Sequence, residues 1–68
     1  MNLESEIIKL LNNNGGTITL QFLYQKFADK VRSSYPIYLA VKSLEEKGVV
    51  KIKVDGLNLH VFLIKKLG

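Results

Sequence analysis

The stretch SYPIYLAVKSLEEKGVV (residues 34–50), followed by KIKVDGLNLHV (51–61), decides the fold of this chain. Ile37, Ala40, Val41 and Leu44 recur at the spacing of one helical face. A helix is therefore expected to run to about Lys47 with that face on a core. Pro36 suits the first turn, where a missing amide hydrogen costs little. Ser33 or Ser34 is placed to accept a hydrogen bond from the free amides there. Gly48 is the stop. Val49 to Val54 then alternates, and Asp55-Gly56 predicts a two-residue hairpin turn. That turn pairs Val54 with Leu57, Ile52 with Leu59 and Val50 with Val61 on an apolar face. The opposite face pairs Lys53 with Asn58, Lys51 with His60 and Val49 with Phe62.

Upstream, Leu3, Ile7, Leu10 and Leu11 share one face of a first helix over residues 3–13. Glu4 and Glu6 suit the positive end of its dipole. The run Asn12 to Gly16 ends it, because Asn and Gly tolerate the left-handed conformation of helix C-termini. Thr17, Ile18 and Thr19 are rich in β-branched side chains, so a brief strand is expected. Thr19 then caps a second helix from about Leu20 to Asp29, with Leu20, Leu23, Tyr24 and Phe27 as its buried stripe. Gln21, Phe22, Gln25 and Lys26 face away from that stripe. Lys30 to Ser34 connects to the third helix, with Val31 plugging the core. Residues 65–68 read as a frayed end.

The bulk composition narrows the function classes. The chain has 68 residues, one domain's worth, and a chain of that size buries only about 60% of its unfolded surface. It contains no cysteine and one histidine, so neither disulfides nor thiolate or multi-histidine metal sites are expected. The apolar content of 47% suits a packed core and not a disordered tail. No apolar run approaches the roughly 18 residues that span a bilayer, and the first residues do not read as a signal peptide. The expected location is cytoplasmic, with no membrane partner. A formal charge of +4 suggests an acidic partner, nucleic acid being the usual one. Glu4 and Glu6 stand at the start, whereas Lys42, Lys47, Lys51, Lys53, Lys65 and Lys66 crowd the second half.

The order helix, short strand, helix, helix, strand, strand resembles the winged helix-turn-helix family over nearly the whole chain. The most specific piece is AVKSLEEKGVV (40–50), which looks like the end of that family's recognition helix leading into its wing. GTITL (16–20) is similar to the family's short strand and second-helix start. The resemblance implies an α+β fold of three helices, a short strand between the first two, and a C-terminal two-stranded hairpin wing. It implies binding of double-stranded DNA, with the third helix in the major groove. On that pattern Ser33, Ser34, Tyr35, Tyr38 and Lys42 approach base edges or phosphates. Arg32 takes a phosphate at the mouth of the helix. Lys51 and Lys53, with Asn58 and His60, carry the wing onto the backbone. The implied role is a small, cofactor-free transcriptional regulator or DNA-organising protein of the nucleoid. In size and in its Lys, Ile and Asn content it resembles compact regulators of archaea and their viruses.

Two features point elsewhere. Leu39 lies opposite the core stripe of the third helix, and Phe22 lies outward on the second. Together they are expected to form an apolar patch of the kind that contacts protein. Ile8, Phe62, Ile64 and Leu67, from the first helix and last strand, form a second set suited to a homodimer. The alternative to a DNA reader is thus a winged-helix adaptor in a replication, transcription or segregation complex. Catalysis has no support: the chain offers no Cys nucleophile, no second His, no glycine-rich phosphate loop and no serine beside a plausible base. No small-molecule ligand is implied.

Overall fold

A computed structural model describes residues 2–64. The chain is α+β, with element order α1 (Leu3–Asn13), β1 (Thr17–Thr19), α2 (Leu20–Lys26), α3 (Tyr35–Glu46), β2 (Val50–Asp55) and β3 (Asn58–Leu63). The three strands form one antiparallel sheet in the order β1-β3-β2. The expected C-terminal two-stranded hairpin is corrected here to a three-stranded sheet. The short strand between the first two helices does not stand apart, because Ile18 pairs with Val61 and makes β3 the central strand. An isolated hairpin is marginal in water, and a third strand with a shared apolar face stabilises it. Among the described residues no helix is long and apolar enough to cross a membrane.

The helix ends follow local chemistry. Asn2 Oδ1 accepts from the Ser5 amide at 3.2 Å and caps α1. Thr19 Oγ1 accepts from the Phe22 amide at 3.1 Å and caps α2, as its position predicts. The cap expected at α3 does not form. Ser34 occupies the N-cap position with φ −78 and ψ −13, and its hydroxyl makes no capping bond. Side-chain capping needs extended backbone and a donor at the second or third helical residue. Here the backbone is helical and the second residue is Pro36, which has no N–H.

α2 is shorter than the sequence suggests. It stops at Lys26, and Lys30 N–H and Val31 N–H both donate to the Phe27 carbonyl, at 2.9 and 3.1 Å. This turn buries Phe27 and half-buries Val31. Asp29 near a helix C-terminus also opposes the helix dipole. The link to α3 therefore covers residues 27–34, longer than the roughly 3–4-residue turn of a tight helix pair.

α3 ends where Gly48 predicts. Gly48 takes φ +78, its N–H donates to the Glu45 carbonyl at 3.0 Å, and the Val49 N–H donates to the Leu44 carbonyl at 2.9 Å. That pair of bonds is a Schellman end. It delivers Val49 against the core and launches β2.

The hairpin register differs from expectation by one step at the turn. The observed partners are Asp55 with Asn58, Val54 with Leu59, Lys53 with His60, Ile52 with Val61, Lys51 with Phe62 and Val50 with Leu63. The central turn residues are Gly56 and Leu57, not Asp55 and Gly56. Gly56 has φ +62, and no non-glycine residue among those described has positive φ. A I′ turn centred on Asp55-Gly56 requires Asp55 to enter the left-handed region. Placing Gly56 first, as in a II′ turn, leaves the left-handed conformation to glycine alone. The shift moves each partner by two residues, so every side chain keeps its face.

The core gathers residues from every element: Ile7 and Leu11 of α1, Ile18 of β1, Leu20 and Leu23 of α2, Ile37, Ala40, Val41 and Leu44 of α3, Val50 of β2 and Val61 of β3, with Phe27. It leaves no buried polar side-chain atom without a partner among the described residues. Two of the surfaces outside it carry the residues expected to bind: the outward stripe of α3 and the outer face of the sheet.

Candidate nucleic-acid interface

The first surface follows from helical geometry. With Ile37, Ala40, Val41 and Leu44 inward, Tyr35, Tyr38, Leu39 and Lys42 fall on the opposite side of α3. Tyr35 is 63% exposed, Leu39 48% and Tyr38 36%. Lys42 is not free on this stripe. Its Nζ donates to Glu45 Oε1 at 2.8 Å, and that hydrogen bond, with the attraction behind it, raises the lysine's pKa. α3 carries one lysine against two glutamates, Glu45 and Glu46, so the stripe has no positive excess. The i,i+3 spacing of Lys42 and Glu45 is the sequence signal for this pairing.

Arg32, Ser33 and Ser34 are exposed at the mouth of α3. They border an open cleft of about 210 Å³ shared with Tyr24, Val31 and Ile37. The structure thus places these three polar residues together with Tyr35 at one end of the stripe.

The second surface is set by the strands. On the outer face, β2 presents Lys51, Lys53 and Asp55, β3 presents Phe62, His60 and Asn58, and β1 presents Thr17 and Thr19. Lys51 and Lys53 are exposed, and among the described residues neither joins an ion pair. His60 Nε2 lies 3.9 Å from Asp55 Oδ2, and its ring stacks beside Phe62 with centroids 6.3 Å apart. Asn58 is engaged: its Oδ1 accepts from Gln21 Nε2 at 3.1 Å, tying the hairpin to the start of α2. Gln21 gave no sequence signal for that contact, because the bond depends on which strand borders α2. The hairpin tip carries Val54 at 67% exposure and Leu57 at 99%, beyond the reach of the helices.

The residues expected at a protein interface separate. Leu39 and Ile64 are exposed. Phe22 is half-buried against the core, with Lys26 Nζ 5.5 Å from its ring centroid. It does not join Leu39 in an open patch, because a two-turn helix bordered by β1, β3 and α3 has neighbours on more than one side. Ile8 packs on the core from the helical layer, whereas Phe62 lies on the outer face of the sheet. Leu67, like the expected frayed end at 65–68, lies outside the described residues. Among those described, no three His, Cys, Asp or Glu side chains gather as a metal site would need. No protein-family model, curated protein or solved structure matches the chain.

Proposed function

We propose that this chain is a winged helix-turn-helix domain that binds double-stranded DNA as a small transcriptional regulator. The order of elements and the sheet order β1-β3-β2 support the winged-helix reading. The observation that carries the functional reading is the pair Lys51 and Lys53, exposed, alternating on one hairpin face and free of ion pairs among the described residues. Lysines so placed suit phosphate contacts, which position a domain on a duplex. In this reading Tyr35 and Tyr38 of α3 approach base edges in the major groove. Arg32 takes a phosphate beside them. Binding then releases counterions and weakens with salt. Two copies related by a twofold axis would set two α3 helices about 34 Å apart on one face of the duplex, and a sedimentation mass on the complex measures that pairing.

The test is a salt titration of duplex binding. Replacing Lys51 and Lys53 together by Ala lowers affinity and reduces the slope of log affinity against log salt by about two, one per phosphate contact. Unchanged affinity and slope remove the hairpin from the contact.

A second reading, a protein-binding adaptor, draws on the α3 stripe. Tyr35, Tyr38 and Leu39 are exposed there while Lys42 is neutralised by Glu45. Under this reading Leu39→Asp leaves folding and duplex affinity intact and abolishes capture of a protein partner.

A further inference from the structure

The outer face of the sheet sets beside the two hairpin lysines a pair of rings that the duplex reading does not need. Lys51 stands directly across from Phe62, and Lys53 directly across from His60. The same unit, an aromatic ring with a lysine beside it, thus occurs twice along the hairpin. The two rings lie side by side on the central strand, 6.3 Å apart and inclined by 29°. Both residues are half-exposed, and Thr17, Lys51 and Lys53 around them are exposed. Among the described residues the lysine that lies over a ring is Lys26, over Phe22, so Lys51 and Lys53 do not cap the rings beside them.

We infer that this face binds single-stranded nucleic acid, with bases stacked on His60 and Phe62 and the adjoining phosphates on Lys53 and Lys51. A sheet with aromatic rings on its central strand is a known way to hold unpaired bases, because every base has a π-face. Two lysines against the single carboxylate of Asp55 give the face the charge its ligand requires. A duplex keeps its bases stacked on one another, so the rings have nothing to grip there. Among the polar side chains on this face, Thr19 Oγ1 accepts from the Phe22 amide and Asn58 Oδ1 from Gln21, while Thr17 is exposed beside Phe62. Stacking serves bases on either sugar, and the oligo-rU arm of the test separates RNA from DNA. The inference shares Lys51 and Lys53 with the duplex reading but is carried by the rings beside them, and Phe62 has no part in duplex contact.

The experiment measures fluorescence anisotropy of labelled oligo-dT, oligo-rU and a self-complementary hairpin duplex with the full chain, alongside ring-proton NMR of His60 and Phe62. Oligo-dT is expected to bind and to shift both rings upfield. Phe62→Thr, which keeps a β-branched residue in the strand, is expected to weaken oligo-dT by on the order of tenfold and leave duplex affinity unchanged. Ring shifts in the unsubstituted protein keep the test valid if Phe62→Thr fails to fold. His60→Thr gives a second, independent loss. No oligo-dT binding, binding without ring shifts, or equal loss of duplex and oligo-dT affinity in Phe62→Thr overturns the inference. Absence of duplex binding with oligo-dT binding intact defeats the duplex reading alone.

Discussion

Lys47 Nζ donates to Glu4 Oε1 at 2.8 Å, across 43 residues of chain. The bond joins the first turn of α1 to the residue that caps α3. It holds the Glu4 carboxyl below the ordinary value of 4.5, chiefly through the hydrogen bond from Lys47, with Ser43 adding a little and partial desolvation opposing. A carboxyl with a lowered pKa in the folded state binds its proton more readily when unfolded. Its contribution to stability is therefore full above about pH 4.5 and is lost as pH falls through the lower folded value. Glu4→Gln should lower the urea midpoint at neutral pH. It should also show less loss than the parent between about pH 4.5 and more acid solution. Parallel acid limbs for the two proteins would show that the contact adds nothing.

Leu23 and Leu57 are the same side chain at opposite extremes, 0% and 99% exposed. Leu23→Ala removes buried methyl groups and leaves a cavity, at a cost of about 2–5 kcal/mol. Small domains have only about 5–15 kcal/mol in total, so this variant is expected to lose a large share of its stability and to melt at a much lower temperature. Leu57→Ala changes stability by no more than about 0.5 kcal/mol. Circular dichroism melts of the two variants decide it. A cost above about 1 kcal/mol at Leu57 would mean that its side chain is covered in solution.

Much of the fold was legible because its elements punctuate themselves. Thr19, Gly48 and the alternation from Val49 to Val54 each carry a local reason for their position, and the structure follows them. What could not be read depends on tertiary neighbours. The pairing of β1 with β3 places three residues beside a strand more than forty positions away, and nothing in TIT names that partner. The end of α2 is set by the need to bury Phe27, which overrides a helical pattern that continues to Asp29. The hairpin turn was misplaced by one residue because Asp-Gly is a favoured pair, while the conformation available to Asp55 was decisive. For the candidate site, helical and strand periods gave the faces of Tyr35, Tyr38, Leu39, Lys51 and Lys53. They gave neither the Gln21–Asn58 tie nor the half-burial of Phe22.

Gly56 offers a direct check on the turn. It holds φ +62, and a Cβ added there would meet nothing within 4 Å. The cost of Gly56→Ala is therefore purely conformational, about 1–2 kcal/mol for an L-residue in the left-handed region. The melting temperature should fall by several degrees, on the order of 4–8 °C per kcal/mol in a domain of this size. Cross-strand contacts between Lys53 and His60 should persist by NMR. A slip of the register, seen as new contacts between Lys53 and Asn58, would mean that Gly56 sets the pairing as well as the turn.

Glu45 controls the charge available on α3. Its carboxylate holds Lys42 Nζ at 2.8 Å, and Lys42 is the sole lysine on that helix. Glu45→Gln leaves a neutral side chain of nearly the same shape, and the lysine is then free to reach a phosphate. If α3 lies against DNA, the substitution should tighten duplex binding severalfold and steepen its salt dependence by about one. Removal of a nearby negative charge also favours approach to the phosphate backbone at low salt. The comparison that isolates the effect is Glu46→Gln, which removes the same formal charge without releasing Lys42. Equal gains from the two substitutions would indicate general attraction alone. A gain confined to Glu45→Gln places Lys42, and with it the stripe of Tyr35, Tyr38 and Leu39, at the duplex. No gain from either turns the stripe toward a protein partner and leaves the hairpin lysines as the nucleic-acid contact.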